Sequence, residues 1–386
     1  MSTRWRLIRD DGCGAADGLA TDEALMHEHR RGAEAALEAT LRLYAYRSHC
    51  ALVGRFQSLD DEIDLEVARA LDIQVGRRPT GGGAIIMGDG QLGVAVVTRA
   101  PAATAPRQLL ERYASGVIAG LARVGIDASF RGKNDLQVDG RKIAGLGLHV
   151  DENGALLFHA SVLADLDVAL MLGVLRIPGA KVSDKGIARV EERVTTVSRL
   201  LGRPVDAREL RDDIAAGFIA ALGVELELGE CSADELARRD ELMRERYAND
   251  EWTLQRTRLR DARGTAVLKT PEGLVRVYVA THGNAIKSML VAGDFNAIPP
   301  RLTALEGALR WSAARRERIE ELTLATLRAD DLRVPPAAVA EAIWEATNRA
   351  LERAGGAHPV RPDGSCYFPE PATVSAAEPI SIQEAV

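Results

Sequence analysis

The stretch that most constrains this chain is 75–93, VGRRPTGGGAIIMGDGQLG. Three successive glycines, Gly81, Gly82 and Gly83, follow Arg77, Arg78 and Thr80, and an apolar run from Ala84 to Met87 comes straight after. Glycine lets backbone take positive φ and approach a ligand closely. Successive N–H groups in such a turn make a concave nest for an anion. The two guanidinium groups offer planar donors that suit carboxylate or phosphate. A plain glycine turn between two strands, with solvated arginines, would look much the same. The choice between the two rests on a second stretch about fifty residues on.

Composition narrows the classes. The 386 residues are 46% hydrophobic and 27% charged, enough for one large domain or two unequal ones. A net charge of −7 with no basic tail argues against nucleic-acid binding. Cys13, Cys50, Cys231 and Cys366 are scattered, without CxxC or metal-ligand spacing, as incidental thiols in a reducing compartment would be. The N-terminus lacks a signal-type apolar region and no segment is long enough to span a membrane, so the expected location is the cytoplasm.

Along the chain, WRLIRD at 5–10 reads as a short edge strand and 22–38 as an amphipathic helix. Strands are expected at 41–46 and 51–53, an acidic helix at 58–70, and a strand at 92–98. Leu109, Tyr113, Val117, Leu121 and Val124 recur at helical spacing and predict a core-packing helix. The second informative stretch, 127–148, is DASFRGKNDLQVDGRKIAGLGL, a strand, an Asp139-Gly140 turn and a strand. Lys142 opens the second strand, with Gly145 and Gly147 keeping its surroundings narrow. In isolation, a lysine beside such a turn is a surface residue. His159, within the apolar strand 156–164, reads as a packed or hydrogen-bonded histidine ahead of a catalyst. Residues 181–197, KVSDKGIARVEERVTTV, are either a mobile loop closing on an anion or a solvated connector. A charged helix spans 232–246, and a domain boundary is expected at 250–264. A hairpin at 274–292 follows, then two helices between 300 and 328 and a third opening at Pro336. No internal repeat is visible.

Taken together, RRPTGGG, KNDLQVDGRKIAGLG, FHASVLADLD and KGIARVEERVTTV resemble the motifs of lipoate–protein ligase, within the biotin/lipoate ligase and octanoyltransferase superfamily. The family pattern runs RRxSGGGAVxHDxGN, RNDxxxxGRKxSGxA, HHGTLLxxxD and KGxxSxxxRVTNL. The resemblance covers about residues 4–330. It implies an α+β fold: a catalytic domain of mixed and antiparallel sheets over 1–250, a linker at 251–264, and a small α+β accessory domain at 265–368. A disordered tail at 369–386 completes the expectation.

The resemblance also implies a reaction. Lipoate and ATP give lipoyl-adenylate and pyrophosphate, and the acyl group then passes to a lysine of a lipoyl-acceptor domain. Lys142, matching the lysine of the GRK motif, would be catalytic, offsetting the repulsion between a carboxylate and the α-phosphate. Asp135 would hold Mg²⁺, with Asn134 beside the phosphate. The loop of Arg77, Arg78, Thr80, Gly81, Gly82 and Gly83 would wall the lipoyl tail and donate N–H groups to the acyl-phosphate. Gly145, His159 and Ser161 would border the adenylate, and Lys181, Lys185 and Gly186 would belong to a covering loop that excludes water. The chain departs from the pattern at Met87-Gly88, where the family has His-Asp, and at Ala160 and Thr196. The rivals are an octanoyltransferase of the same fold, which needs a nucleophilic cysteine near Lys142, a biotin ligase, and a non-catalytic lipoate or acyl-adenylate binder.

Overall fold

The computed structural model describes residues 3–30, 38–101, 104–177, 184–255, 261–271, 273–295 and 298–354. The chain divides into two compact units, residues 1–257 with 294–297, and residues 258–293 with 298–386.

The strands of the first unit are β1 (Thr3–Cys13), β2 (Ala39–Tyr46), β3 (Cys50–Val53), β4 (Gln74–Arg77), β5 (Ile85–Met87), β6 (Gln91–Arg99), β7 (Ser129–Arg131), β8 (Asp135–Val138), β9 (Arg141–Val150), β10 (Ala155–Leu163) and β11 (Val224–Leu228). Eight of them form one mixed sheet in the order β11-β1-β2-β6-β10-β9-β8-β7. Strand β1 is parallel to both β11 and β2, and the pairings from β2 through β7 are antiparallel. The expectation of an edge strand at 5–10 is therefore wrong. The edge is β11, VELEL, whose alternating glutamates blunt an exposed rim in the usual way. A small sheet, β4-β3-β5, holds the ends of the glycine-rich loop.

One face of the large sheet packs Leu41, Leu43, Val94, Val96 and Phe158 against helices Pro106–Arg123 and Arg211–Leu222. The other face packs Tyr44, Tyr46, Val97 and Leu157 against helix Ala15–Arg30, through Leu19, Leu25 and Met26. That helix starts earlier than its sequence predicts, because the Ala15 N–H is capped by the side-chain oxygen of Gln74 at 2.7 Å. Residues 31–37, the end of the expected helix, lie outside the described residues. The acidic helix expected at 58–70 is two short helices, Leu59–Glu62 and Leu65–Ala70. Ile63 leaves the helix between them to bridge Leu175, and Asp64 caps the second by accepting from the Val67 N–H at 3.1 Å. The Asp139-Gly140 turn has φ of 49° and 76°, the paired positive values of a tight two-residue hairpin.

The second unit has a three-stranded antiparallel sheet of β12 (Gly264–Thr270), β13 (Gly273–His282) and β14 (Ala285–Gly293). Its larger helices are Pro300–Leu309, Arg316–Thr326 and Pro336–Ala354. Strand β12 went unread because a basic run, RTRLRDAR, leads into it. Cys366 and the expected tail lie outside the described residues. No helix among those described is long and apolar enough to cross a membrane.

Candidate active site

Strand register assembles the site. Asp135 on β8 pairs with Gly145 on β9, and Gly145 pairs with Ser161 on β10, so the three share one face. Lys142 reaches over this row, its ammonium 2.8 Å from a carboxylate oxygen of Asp135. A Cβ on Gly145 would stand 3.1 Å from the Lys142 Nζ and 3.6 Å from the Ser161 Oγ, so glycine leaves the room in which the lysine head lies. The Lys142 backbone is fixed as well. Its N–H donates to the Arg193 carbonyl and its own carbonyl accepts from the Thr195 N–H, each at 2.8 Å. The RVTT segment is thus a second strand-like partner to the lysine, opposite β8. Asn134 braces β9 by donating its amide to the Leu146 carbonyl at 2.8 Å.

One row further along, His159 pairs with Gly147, and a Cβ there would come within 2.1 Å of the His159 Nε2. That ring nitrogen is 2.9 Å from the Thr80 hydroxyl, so the histidine ties the glycine-rich loop to the sheet. Burial, with Arg78 and His149 nearby, pushes its pKa from the usual 6.5 down to about 3, and the ring is neutral at any ordinary pH. The packed, hydrogen-bonded reading of His159 is the one the geometry fits.

The two loop arginines differ, and the expectation that both face an anion needs correcting. Arg77 is fully buried, and its guanidinium donates to the backbone carbonyls of Gly54, Arg55 and Gln57 on one side. On the other it donates to those of Trp252, Thr253 and Gln255. It is a strut. Arg78 donates to the carbonyls of Leu52, Gly81 and Gly83, but its buried Nε has no partner among the described residues, and it lines a slot beside the sheet. Burial draws its pKa down to about 10, which still leaves it charged at neutral pH. The expected N–H nest is also partly occupied: the Gly82 N–H donates to the Phe295 carbonyl at 3.1 Å. Beside it, Gln57 donates to a carboxylate oxygen of Asp294 at 2.8 Å.

The slot lies between helix Ala15–Arg30 and the sheet. Leu19, Tyr46, Leu52, Ile85, Met87 and Leu157 give it apolar walls, and His159, Ser161 and Thr80 border it. Its polar end is Asp22, buried and accepting from Arg42 at 2.6 Å. Desolvation raises the Asp22 pKa, with Arg42 opposing. Sequence reading missed Asp22, Tyr46 and Leu52, because apolar and helical spacing alone marks them as core. A wider groove of about 750 Å³ adjoins, lined in part by Pro79, Lys133, Asn134 and Gly147. Of the expected covering loop, Lys181 lies outside the described residues, and Lys185 and Gly186 fall in helix Asp184–Glu191.

The described residues contain no group of three or more His, Cys, Asp or Glu that could hold a metal by itself. Mg²⁺ is commonly bound by one or two carboxylates together with substrate phosphates, so Asp135 alone fits that mode. Three thiols are described. Burial pushes Cys13 up to about 12 and Cys50 higher still, and burial with Glu235 raises Cys231.

An apolar slot bordered by Ser161, in the same row as Gly145 and the Lys142–Asp135 pair, fits the comparisons with known proteins. Residues 15–219 match the lipoyl protein ligase A/B catalytic domain. The chain belongs to that family. It is 32% identical over 281 residues to the octanoyltransferase LipM of Symbiobacterium thermophilum, covering 66% of this chain and 100% of the relative. The structure of a bi-partite lipoate protein ligase from Thermoplasma acidophilum, described with its E2 lipoyl domain, aligns with 27% identity and a TM-score of 0.59. That match covers 67% of this chain and 98% of the archaeal one. A lipoate-protein ligase A bound with ATP aligns with 25% identity and a TM-score of 0.57, covering 66% and 99%. The α+β architecture of mixed and antiparallel sheets is thus that of the lipoate ligases.

Proposed function

We propose that this member of the lipoyl ligase family is an ATP-dependent lipoate–protein ligase. The observation that carries the reading is Lys142 over Gly145, paired to Asp135 in the row that ends at Ser161, which lines an apolar slot, with every described thiol buried or unactivated. In the first step a lipoate carboxylate oxygen attacks the α-phosphorus of ATP and pyrophosphate leaves. Two anions must meet, and the Lys142 ammonium lowers their repulsion where water is scarce. Arg78, whose buried Nε has no partner among the described residues, lines the same slot and is suited to the acyl oxygen. Asp135 orients the lysine and is the residue that would hold Mg²⁺, which supplies further charge neutralisation on the phosphates. In the second step the amine of an acceptor lysine attacks the acyl carbonyl, and AMP departs. His159, neutral and hydrogen-bonded to Thr80, positions the loop and takes no proton.

The second reading is transfer of an octanoyl group from a carrier thioester. It is favoured by the 32% identity to LipM over that relative's whole length. A covalent cysteine route requires a thiolate, and thiols pushed up by apolar burial are inert. The LipM match also leaves about a third of this chain without a counterpart. Exchange of labelled pyrophosphate into ATP decides between them. It should depend on lipoate or octanoate and vanish in Lys142→Ala. Exchange-free transfer from octanoyl-loaded carrier protein would replace the ligase reading with the second.

A further inference from the structure

The groove beside the slot contains a cation that the chemistry above does not use. Arg55 is half-buried, its guanidinium 4.8 Å from the ring centre of Trp252 and 5.8 Å from that of Phe56. Arg246 lies 4.7 Å from the same indole. Among the described residues no carboxylate closes an ion pair with Arg55. Glu23 is near, but one of its oxygens accepts from Arg246 and the other from the Tyr247 hydroxyl. Burial and the Arg246 charge both lower the Arg55 pKa, so holding it there has a cost. A third guanidinium, that of Arg238, lines the groove with a buried Nε that lacks a partner among the described residues.

The arrangement is rigid. Arg77 holds the carbonyls of Arg55 and Trp252, and the Trp252 indole N–H donates to the Arg77 carbonyl at 2.9 Å. Hydrogen bonds connect the site to the sheet beside the slot. The Arg55 N–H donates to the Thr80 carbonyl, Thr80 bonds His159, and His159 lies one row from Ser161. The groove lining is divided by element. Arg55, Arg238 and Arg246, with Glu23, come from one set of segments, while Asp151 and Glu152 sit on the β9–β10 hairpin and Lys133 and His149 line the same groove. Asp151 and Glu152 disfavour a polyanion such as a triphosphate on their side of the groove. A lysine with a carboxylate next to it on a protein surface complements both.

We propose that Arg55, stacked on Trp252 beside Arg246, is a docking site for an acidic side chain next to the target lysine of the acceptor protein. Both functional readings above share such an acceptor. The test uses the full chain and a recombinant E2 lipoyl domain with an acidic residue beside its target lysine, plus the same domain with that residue changed to its amide. Arg55→Met should raise the KM for the acidic domain about tenfold, and Arg55→Lys should recover part of that loss. Lipoate-dependent pyrophosphate exchange should keep its KM for ATP within about twofold. The amide domain should lose as much with the unmodified enzyme and lose nothing further with Arg55→Met, as coupled partners do. An unchanged acceptor KM, additive losses, or a raised KM for ATP would overturn the assignment, the last by placing a polyanion at Arg55. If the unmodified enzyme shows no lipoate-dependent exchange, the ligase reading fails by itself. The acceptor titration is then run with octanoyl-loaded carrier protein, and the same shift in KM is expected.

Discussion

The ammonium of Lys142 stands 2.8 Å from a carboxylate oxygen of Asp135, and each side chain is about one-third exposed, at 36% and 32%. A pair this accessible adds little to stability, on the order of 0–1 kcal/mol. Its value is positional. Lys142→Ala should therefore abolish lipoate-dependent pyrophosphate exchange while shifting the thermal midpoint by no more than a few degrees. Lys142→Arg should also fail, because a planar fork cannot stand where a compact ammonium fits between two anions. Near-normal exchange in either variant would remove Lys142 from the chemistry.

The two glycines of β9 separate room for chemistry from room for packing. At Gly145 an added methyl meets the flexible end of Lys142 at 3.1 Å, and at Gly147 it meets the half-buried His159 ring at 2.1 Å. Gly145→Ala should fold normally and lose most of its activity by displacing the lysine. Gly147→Ala should be destabilised by about 1–3 kcal/mol, the range for forcing a methyl into packed side chains. The double variant Gly147→Ala/His159→Ala should be less destabilised than the two single losses summed. Denaturant titrations of the four proteins measure this, and strict additivity would show that the ring and the methyl do not meet.

Much of the site was readable in the sequence, but its wiring was not. The Asp139-Gly140 hairpin, the lysine at its start and the glycines after it are local features with local causes. Arg77 is different. Half its acceptors lie 175 or more residues further along the chain, so nothing near RRPTGGG reveals that one arginine is a strut and the other faces the slot. The early start of helix Ala15–Arg30 depends on Gln74 in the same way. Trp252 looked like part of a linker, yet it is buried and holds the Arg77 carbonyl.

His159 gives a pH dependence with a definite sign. Its folded pKa, about 3, lies below the ordinary 6.5. Between these values the unfolded chain binds a proton that the folded chain does not, so stability falls as pH drops below about 6.5. By pH 5 this one group should cost about 2 kcal/mol relative to pH 7. His159→Gln, with no titrating ring, should lose less stability over that interval. Equal losses in the two proteins, read from urea midpoints at pH 5 and pH 7, would place a charged histidine in the fold.

Cutting the chain should reveal where the glycine-rich loop gets its support. A chain ending at Asp250 loses Trp252 and the carbonyls of 252–255 that Arg77 grips. One ending at Thr257 keeps them, but both lack Asp294 and Phe295, which hold Gln57 and the Gly82 N–H. The expected order of pyrophosphate exchange is full chain, then the Thr257 chain, then the Asp250 chain, with the last also less stable. Transfer from supplied lipoyl-adenylate should survive best in the Thr257 chain. Equal exchange in all three proteins would mean that these ties do not shape the loop.

The thiols provide the last test, because a covalent acyl-cysteine route and an adenylate route place opposite demands on them. A nucleophilic cysteine needs its pKa drawn toward neutrality by nearby positive charge. Cys13 lies beside Arg42 and is still pushed up to about 12, since desolvation outweighs that charge. Cys50 is fully buried among apolar neighbours, and Cys231 faces Glu235, which raises it further. Adenylate formation asks nothing of any thiol. A protein with Cys13, Cys50, Cys231 and Cys366 all changed to serine should therefore keep ATP-dependent lipoylation of an acceptor domain. It should be less stable by a few kcal/mol, because serine hydroxyls at the buried positions of Cys13 and Cys50 must give up water. Stability and activity are read separately, by denaturant titration and by lipoylation at a temperature where the variant is folded. Loss of activity in the folded variant, with an acyl group recovered on one cysteine of the unmodified enzyme, would move the chemistry from adenylate to thioester.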